Sequence, residues 1–234
     1  MIEGENVHIV IVSNRRWNRR FIPEVEARTG AKVTYLEHPE DVSQENMMAL
    51  SPDWVFFPHW SYIIPAEVYE NFRCVIFHMT DLPFGRGGSP LQNLIVRGIY
   101  ETKITALRCV KELDAGPVYT KHALSLWGSA EEIYLRAGEV TKEMMIELVQ
   151  EEPVPYEQTG EGTVFKRRTP EDSDIGNLSS LSQVFDYIRM LDAEGYPAAF
   201  LQTNHLRMEF SRASLKDGCV LADVRIKVRE EDDG

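Results

Sequence analysis

The sequence predicts an α/β fold, a mainly parallel sheet with helices on both faces, followed by a small β-rich C-terminal subdomain. Three observations lead there. Through the first half, short apolar runs rich in β-branched residues alternate with segments of helical spacing, as repeated strand-helix-strand units require. The composition turns polar and stiff at Glu151-Glu152-Pro153-Val154-Pro155, which sets a boundary between 1–152 and 153–234. Beyond it, short strand-like runs outnumber helical ones.

Each element has its local reason. The run over 7–12 suits a strand buried on both faces of a parallel sheet. It ends in Ser13-Asn14-Arg15-Arg16-Trp17-Asn18-Arg19-Arg20, without the Gly-x-Gly-x-x-Gly of a dinucleotide site. Four arginines and a Trp there suit a phosphate or nucleotide, because guanidinium groups grip phosphate oxygens in pairs; a solvated first helical turn explains them equally well. Gly30 closes the first helix, and strands are expected over 32–36, 54–57 and 73–77, with a helix over 41–50 and Pro65 in a helix's first turn. His59, His78 and the arginine loop fall at carboxyl ends of strands, where such sheets bind ligands.

Ser89-Pro90-Leu91-Gln92 reads as a capped helix start with a capping box, and Leu91, Leu94 and Ile95 share one face of that helix. Runs over 104–110 and 118–126 read as paired strands around a turn at Asp114. Ser129 to Glu132 opens a second capping box before a long helix with Ile133, Ala137, Val140, Met144 and Leu148 on one face. In the second half a strand through Val164 and Phe165, a helix over 181–191 and strands through Phe200, 206–210 and 220–228 are expected, and the acidic tail 229–234 should fray.

The 234 residues are 43% apolar and 26% charged, enough for a sizeable core. The net charge of -12 disfavours nucleic acid as a partner, because no long Lys/Arg block offsets repulsion from phosphate. Cys74, Cys109 and Cys219 are few, odd in number and widely spaced, as in a reducing compartment. No apolar run is long enough for a membrane span, so a cytoplasmic protein without a membrane partner is expected. The spacing of His59, His78, Asp81 and His122 repeats no metal-ligand pattern, and no metal is expected.

Three blocks carry a resemblance. Phe77-His78-Met79-Thr80-Asp81-Leu82-Pro83, then Arg86-Gly87-Gly88-Ser89-Pro90, then Asp114-Ala115-Gly116-Pro117 stand in the order of the formyltransferase family that uses 10-formyltetrahydrofolate. That family's blocks are Asn-x-His-x-Ser-x-Leu-Pro, Arg-Gly-x-x-Pro and Asp-x-Gly-Pro/Asp. One position departs, since Ile76 stands where the family has Asn. The resemblance implies a Rossmann-like catalytic domain, 10-formyltetrahydrofolate as cosubstrate, and His78 and Asp114 as the catalytic pair. Imidazole aimed at the formyl oxygen stabilises an oxyanion, and a nearby carboxylate holds it charged and relays a proton.

With Asn lost at 76, Asn93 or Thr80 is the expected donor to the formyl oxygen. By position in the family, folate lies along Phe57, Trp60, Ile63 and Ile64, with Asp114 nearby. The acceptor falls to Asn14, Arg15, Arg16, Thr80, Arg86, Gly87 and Arg168. Segments 163–172 and 191–200 resemble sugar N-formyltransferases, and the wording of 78–93 resembles the formyltransferase of pseudaminic acid biosynthesis. The implied acceptor is a nucleotide-linked 4-amino-4,6-dideoxy sugar, UDP-linked, and the implied assembly a homodimer. Two alternatives stay open: another amine, such as an aminoacyl group on tRNA or a carrier, and a non-catalytic folate-binding homologue.

Overall fold

A computed structural model describes residues 7–229, so the tail 230–234, expected to fray, lies outside the described residues. In chain order the strands are β1 (His8–Val12), β2 (Lys32–Leu36), β3 (Trp54–Pro58), β4 (Cys74–His78), β5 (Arg86–Gly87), β6 (Glu101–Arg108), β7 (Val118–Ser125), β8 (Val164–Phe165), β9 (Ala199–Gln202), β10 (Leu206–Lys216) and β11 (Cys219–Val228). The helices are α1 (Arg16–Arg19), α2 (Ile22–Thr29), α3 (Gln44–Leu50), α4 (Ala66–Tyr69), α5 (Pro90–Ile95), α6 (Ala130–Glu151) and α7 (Leu181–Arg189). Two compact units result. The first comprises Met1–Gly87, Thr102–Leu124 and Leu135–Val164; the second comprises Gly88–Glu101, Ser125–Tyr134 and Phe165–Gly234. The expected boundary after residue 152 falls inside the first unit, because the connector 153–163 hydrogen-bonds back onto it.

The main sheet has the order β2-β1-β3-β4-β6-β7. β1 pairs in parallel with β2 and β3, β3 in parallel with β4, and β4 antiparallel with β6. Val10, Val12, Val55 and Phe57 pack with Met47 and Val68 in the core. Fully apolar strands of this kind need cover on both faces. Against this unit's α2, the Lys142 ammonium of α6 reaches Glu24 at 2.7 Å, and Arg28 bonds Glu143 at 2.9 Å. The carboxylates hold Lys142 protonated against its burial.

In the second unit β9, β10 and β11 form an antiparallel sheet with a bulge between Ser211 and Ser214. Arg189, 2% exposed, donates to Asp186 at 2.7 Å and to the carbonyls of Leu126 and Gly128 at 2.6 and 2.8 Å. Its neighbours include the rings of Tyr100 and Phe185.

Of the two expected capping boxes, Ser129 makes one: its N–H donates to Glu132 at 2.8 Å, and its hydroxyl accepts from the Glu132 N–H. Ser89 does not. It sits at φ 51° with no side-chain cap, and its Oγ accepts instead from the Arg168 N–H at 3.1 Å. Among the described residues no helix is long and apolar enough to cross a membrane.

Candidate active site

Strands β1, β3 and β4 run parallel, so their carboxyl ends lie side by side and deliver Ser13, His59 and His78 to one end of the sheet. His78 closes β4 and is buried. Its Nε2 lies 2.7 Å from the carbonyl oxygen of Gly85. A carbonyl only accepts, so Nε2 carries a hydrogen and the working edge of the ring is Nδ1. That atom faces Asp114 Oδ2 at 3.5 Å, with side chains 8% and 9% exposed. Asp114, in the left-handed region at φ 52°, also accepts the Gly87 N–H at 2.9 Å. Gly87 has φ 98°, which a side chain would resist, and this lets its N–H turn toward the carboxylate. Two residues after Asp114, a Cβ on Gly116 would lie 1.9 Å from the Arg108 carbonyl oxygen, so only glycine lets the turn close against β6.

The structure thus brings His78, Asp114 and Gly87 together, and it gives several expected site residues other duties. The Asn93 amide nitrogen bonds the carbonyls of Gly88, Ser89 and Lys166 at 3.0, 3.1 and 2.9 Å, and its oxygen accepts from Arg97 at 3.0 Å. Nothing of that amide is left for a formyl oxygen. Thr80 is fully buried and directs its hydroxyl to the Gly85 carbonyl at 3.4 Å. Arg86 commits Nε and Nη2 to Gln158 Oε1 at 3.1 and 2.6 Å. Arg168 bonds the Asp172 carbonyl and lies over the Tyr187 ring, bracing its own loop. Ile76 packs with Leu82, Leu107 and Val118, so the family's amide is replaced by an apolar wall.

At the end of β1, Asn14 is exposed and the Arg16 side chain lies outside what is described. Arg15 is half-buried over the Trp17 ring, and Trp17 meets His59 edge to face at 5.7 Å. Asn18 ties the loop down, donating to Ser13 Oγ at 2.9 Å and the Pro58 carbonyl at 3.3 Å. Burial, and then the Arg15 charge, push the His59 imidazole down to about 3, so it is neutral at ordinary pH.

The expected folate wall divides. Phe57 and Ile64 are core residues, whereas Ile63 is 95% exposed. Trp60 packs on Phe57 and Tyr62, and its buried indole N–H has no acceptor among the described residues. A buried donor of this kind calls for a partner, such as a water or a ligand carbonyl. No cluster of metal-ligating side chains occurs among the described residues, and His122 pairs instead with Glu147 at 2.6 Å.

Three partners of the pair were not read from the sequence. The Gly85 carbonyl is one. Gln158 is another, donating to the Asp114 and Gly116 carbonyls at 2.9 Å each. Thr163 is the third, its Oγ1 accepting the Gly85 N–H at 2.7 Å. Gln158 lies in the polar stretch just past the 151–155 connection, and Thr163 opens the segment 163–172.

Comparison with known proteins bears on this arrangement. Residues 170–227 match the family model described as the methionyl-tRNA formyltransferase C-terminal domain. A methionyl-tRNA formyltransferase from Methylococcus capsulatus is 34% identical over 118 residues, 49% of this chain and 38% of that protein. The chain spans 38% to 66% of the lengths of the curated relatives it matches. A sugar N-formyltransferase from Shewanella shares the fold, with TM-score 0.65 and 16% identity over 93% of this chain and 96% of that one. The solved methionyl-tRNA formyltransferase from Clostridium thermocellum superimposes with TM-score 0.92 at 46% identity, over 95% of this chain and 100% of that one. The chain belongs to the formyltransferase family.

Proposed function

We propose that the protein transfers a formyl group from 10-formyltetrahydrofolate to a primary amine, with His78 and Asp114 as the reacting pair. The observation that carries this is the buried approach of His78 Nδ1 to Asp114 Oδ2 at 3.5 Å. The amine nitrogen attacks the formyl carbon, the bond from that carbon to folate N10 breaks, and one proton passes from the incoming to the departing nitrogen. Nδ1–H of His78 stabilises the oxyanion formed meanwhile, and Asp114 accepts and returns the proton. The unpartnered indole N–H of Trp60 supports folate binding along 57–64.

For the acceptor, we favour an aminoacyl amine carried on tRNA. Support comes from the 46% identical structure and from the family model over 170–227, both bearing the methionyl-tRNA name. This departs from the nucleotide-linked sugar of pseudaminic acid biosynthesis expected from the sequence. That sugar remains the second reading, favoured by one observation: a net charge of -12 repels a polyanion such as tRNA far more than a small sugar nucleotide. The test supplies 10-formyltetrahydrofolate with initiator methionyl-tRNA, UDP-linked 4-amino sugars or carrier-bound aminoacyl groups, and follows deformylated folate. Release with methionyl-tRNA alone upholds the first reading, and release with the sugars alone upholds the second. Folate binding without turnover on any amine overturns both in favour of a non-catalytic homologue.

A further inference from the structure

We propose that the connector from Tyr156 to Thr163 is a strap that positions the His78–Asp114 pair, with Gln158 as its positioning residue; this rests on the formyl-transfer reading above. The two groups that face the His78 ring, the Gly85 carbonyl and the Asp114 carboxylate, come from separate loops. One stretch of chain holds both. At its start the strap forms a bridge with β7, Val118 N–H to Tyr156 O at 2.7 Å and Tyr156 N–H to Val118 O at 2.9 Å. At its end Thr163 receives the Gly85 N–H on Oγ1 at 2.7 Å and the Arg86 N–H on its carbonyl at 2.9 Å. It returns its own N–H to Pro83 O at 3.1 Å.

Gln158 lies between these anchors, with its carboxamide committed on both sides. Its two amide hydrogens reach Asp114 O and Gly116 O, each at 2.9 Å, across the turn that carries the catalytic carboxylate. Its oxygen takes Nε and Nη2 of Arg86 at 3.1 and 2.6 Å, and Arg86 directly follows the Gly85 carbonyl that holds His78 Nε2. One side of the imidazole is therefore linked, through the Gly85–Arg86 peptide and the hydrogen bonds of Gln158, to the backbone of the residue whose carboxylate faces the other side. It matters because Asp114 stands at φ 52°, in the left-handed region that residues other than glycine occupy at a cost, so bonds to the carbonyls of its turn help to hold it there. The carboxamide suits both tasks at once, since it is the side chain that offers two donors on one edge and an acceptor on the other.

The test compares Gln158→Ala and Gln158→Glu with the wild-type protein, each checked for folding by thermal melting. Gln158→Ala is expected to lower kcat by about 100-fold, the effect of displacing a reacting group by about 1 Å, with little change in KM for the folate. Gln158→Glu keeps the link to Arg86 but turns an oxygen toward the two carbonyls. It is expected to lose kcat as severely, whereas a role confined to holding Arg86 leaves it active. In an Asp114→Asn background, Gln158→Ala is expected to cost little more, because the group it positions is already disabled.

The ring resonances of His78, read by NMR, supply a readout independent of turnover, and they are expected to move in both Gln158 variants. Folded Gln158 variants with kcat within about twofold of wild type overturn the proposal, as does an undiminished loss in the Asp114→Asn background. If the wild type transfers no formyl group, the catalytic reading falls and the His78 resonances alone decide the strap: unmoved resonances overturn it. If Gln158→Ala does not fold, Thr163→Val, which removes the acceptor of the Gly85 N–H, replaces it under the same criteria.

Discussion

Asp114→Asn tests the reaction with least disturbance to the fold. Asn has the same shape, keeps an oxygen for the Gly87 N–H, tolerates the left-handed backbone at φ 52°, and leaves the backbone bonds from Gln158 untouched. What disappears is one negative charge 3.5 Å from His78 Nδ1. At an effective dielectric constant of about 20, that charge attracts a unit positive charge developing on the ring in the transition state by about 5 kcal/mol, which is the ceiling on the loss. Removing a proton relay costs about 10²- to 10⁴-fold, so kcat is expected to fall by about 10³-fold. KM for 10-formyltetrahydrofolate should change little, because the charge acts in the transition state and not on the bound folate. The assay follows deformylated folate under saturating amine. An Asp114→Asn enzyme that retains more than about a tenth of wild-type kcat refutes the assignment of Asp114 as charge partner and relay.

The remaining predictions concern the scaffold. Gly116→Ala must move its new methyl from 1.9 Å to ordinary contact with the Arg108 carbonyl, displacing the Asp114 turn by about 1 Å. The expected loss is about 100-fold in kcat, and unchanged kcat in a folded variant counts against the turn's role. Arg189→Met leaves the Asp186 carboxylate buried with Tyr100 as its remaining partner. This should cost about 3–5 kcal/mol and lower Tm by roughly 6–20 °C in calorimetry, and an unchanged Tm refutes it. Burial lowers His59 from 6.5 to about 3 in the fold, so the unfolded chain takes up its proton first as pH falls. That stability contribution is complete above pH 6.5 and is lost progressively toward pH 3. His59→Asn, which suits φ 52°, should flatten Tm against pH between about 6.5 and 4.5, and an equal slope in both proteins would falsify the assignment.

What the sequence showed of this fold was what a single strand or helix must satisfy alone. The apolar strands, the turn at Asp114, the Ser129 cap and the carboxyl-end position of His78 were legible because they depend on neighbours in the chain. Ser89 reads as a cap by the same logic, yet its hydroxyl takes the N–H of Arg168, 79 residues away, and its backbone sits at φ 51°. Asn93 shows the same limit. Its position one turn into α5 suggests a free amide, but the carbonyl of Lys166, 73 residues on, helps to occupy it. Gln158 was invisible for the converse reason, since its bonds to the Asp114 turn cross 42 and 44 residues from a segment with the composition of a linker. Pattern in a sequence reports what a side chain does to its own element, whereas polar partners are chosen only after the elements meet.

The replacement at Ile76 follows from that geometry. With Ile76 packed on Leu82, Leu107 and Val118, and with Thr80 and Asn93 bonded internally, the proposed reaction assigns negative charge on the formyl oxygen to His78 Nδ1. Removing one donor from an oxyanion site costs about 10²- to 10³-fold in other acyl transfers. The apolar wall supplies a partial offset. A donor buried to 8% exposure, backed by a carboxylate at 9%, acts through a less polarisable medium than one facing water, so each remaining interaction is stronger. Under the proposed reaction the site therefore exchanges a second hydrogen bond for dryness around the first. This makes the orientation of a single imidazole, fixed from both sides by Gly85 and Asp114, the quantity on which the rate depends.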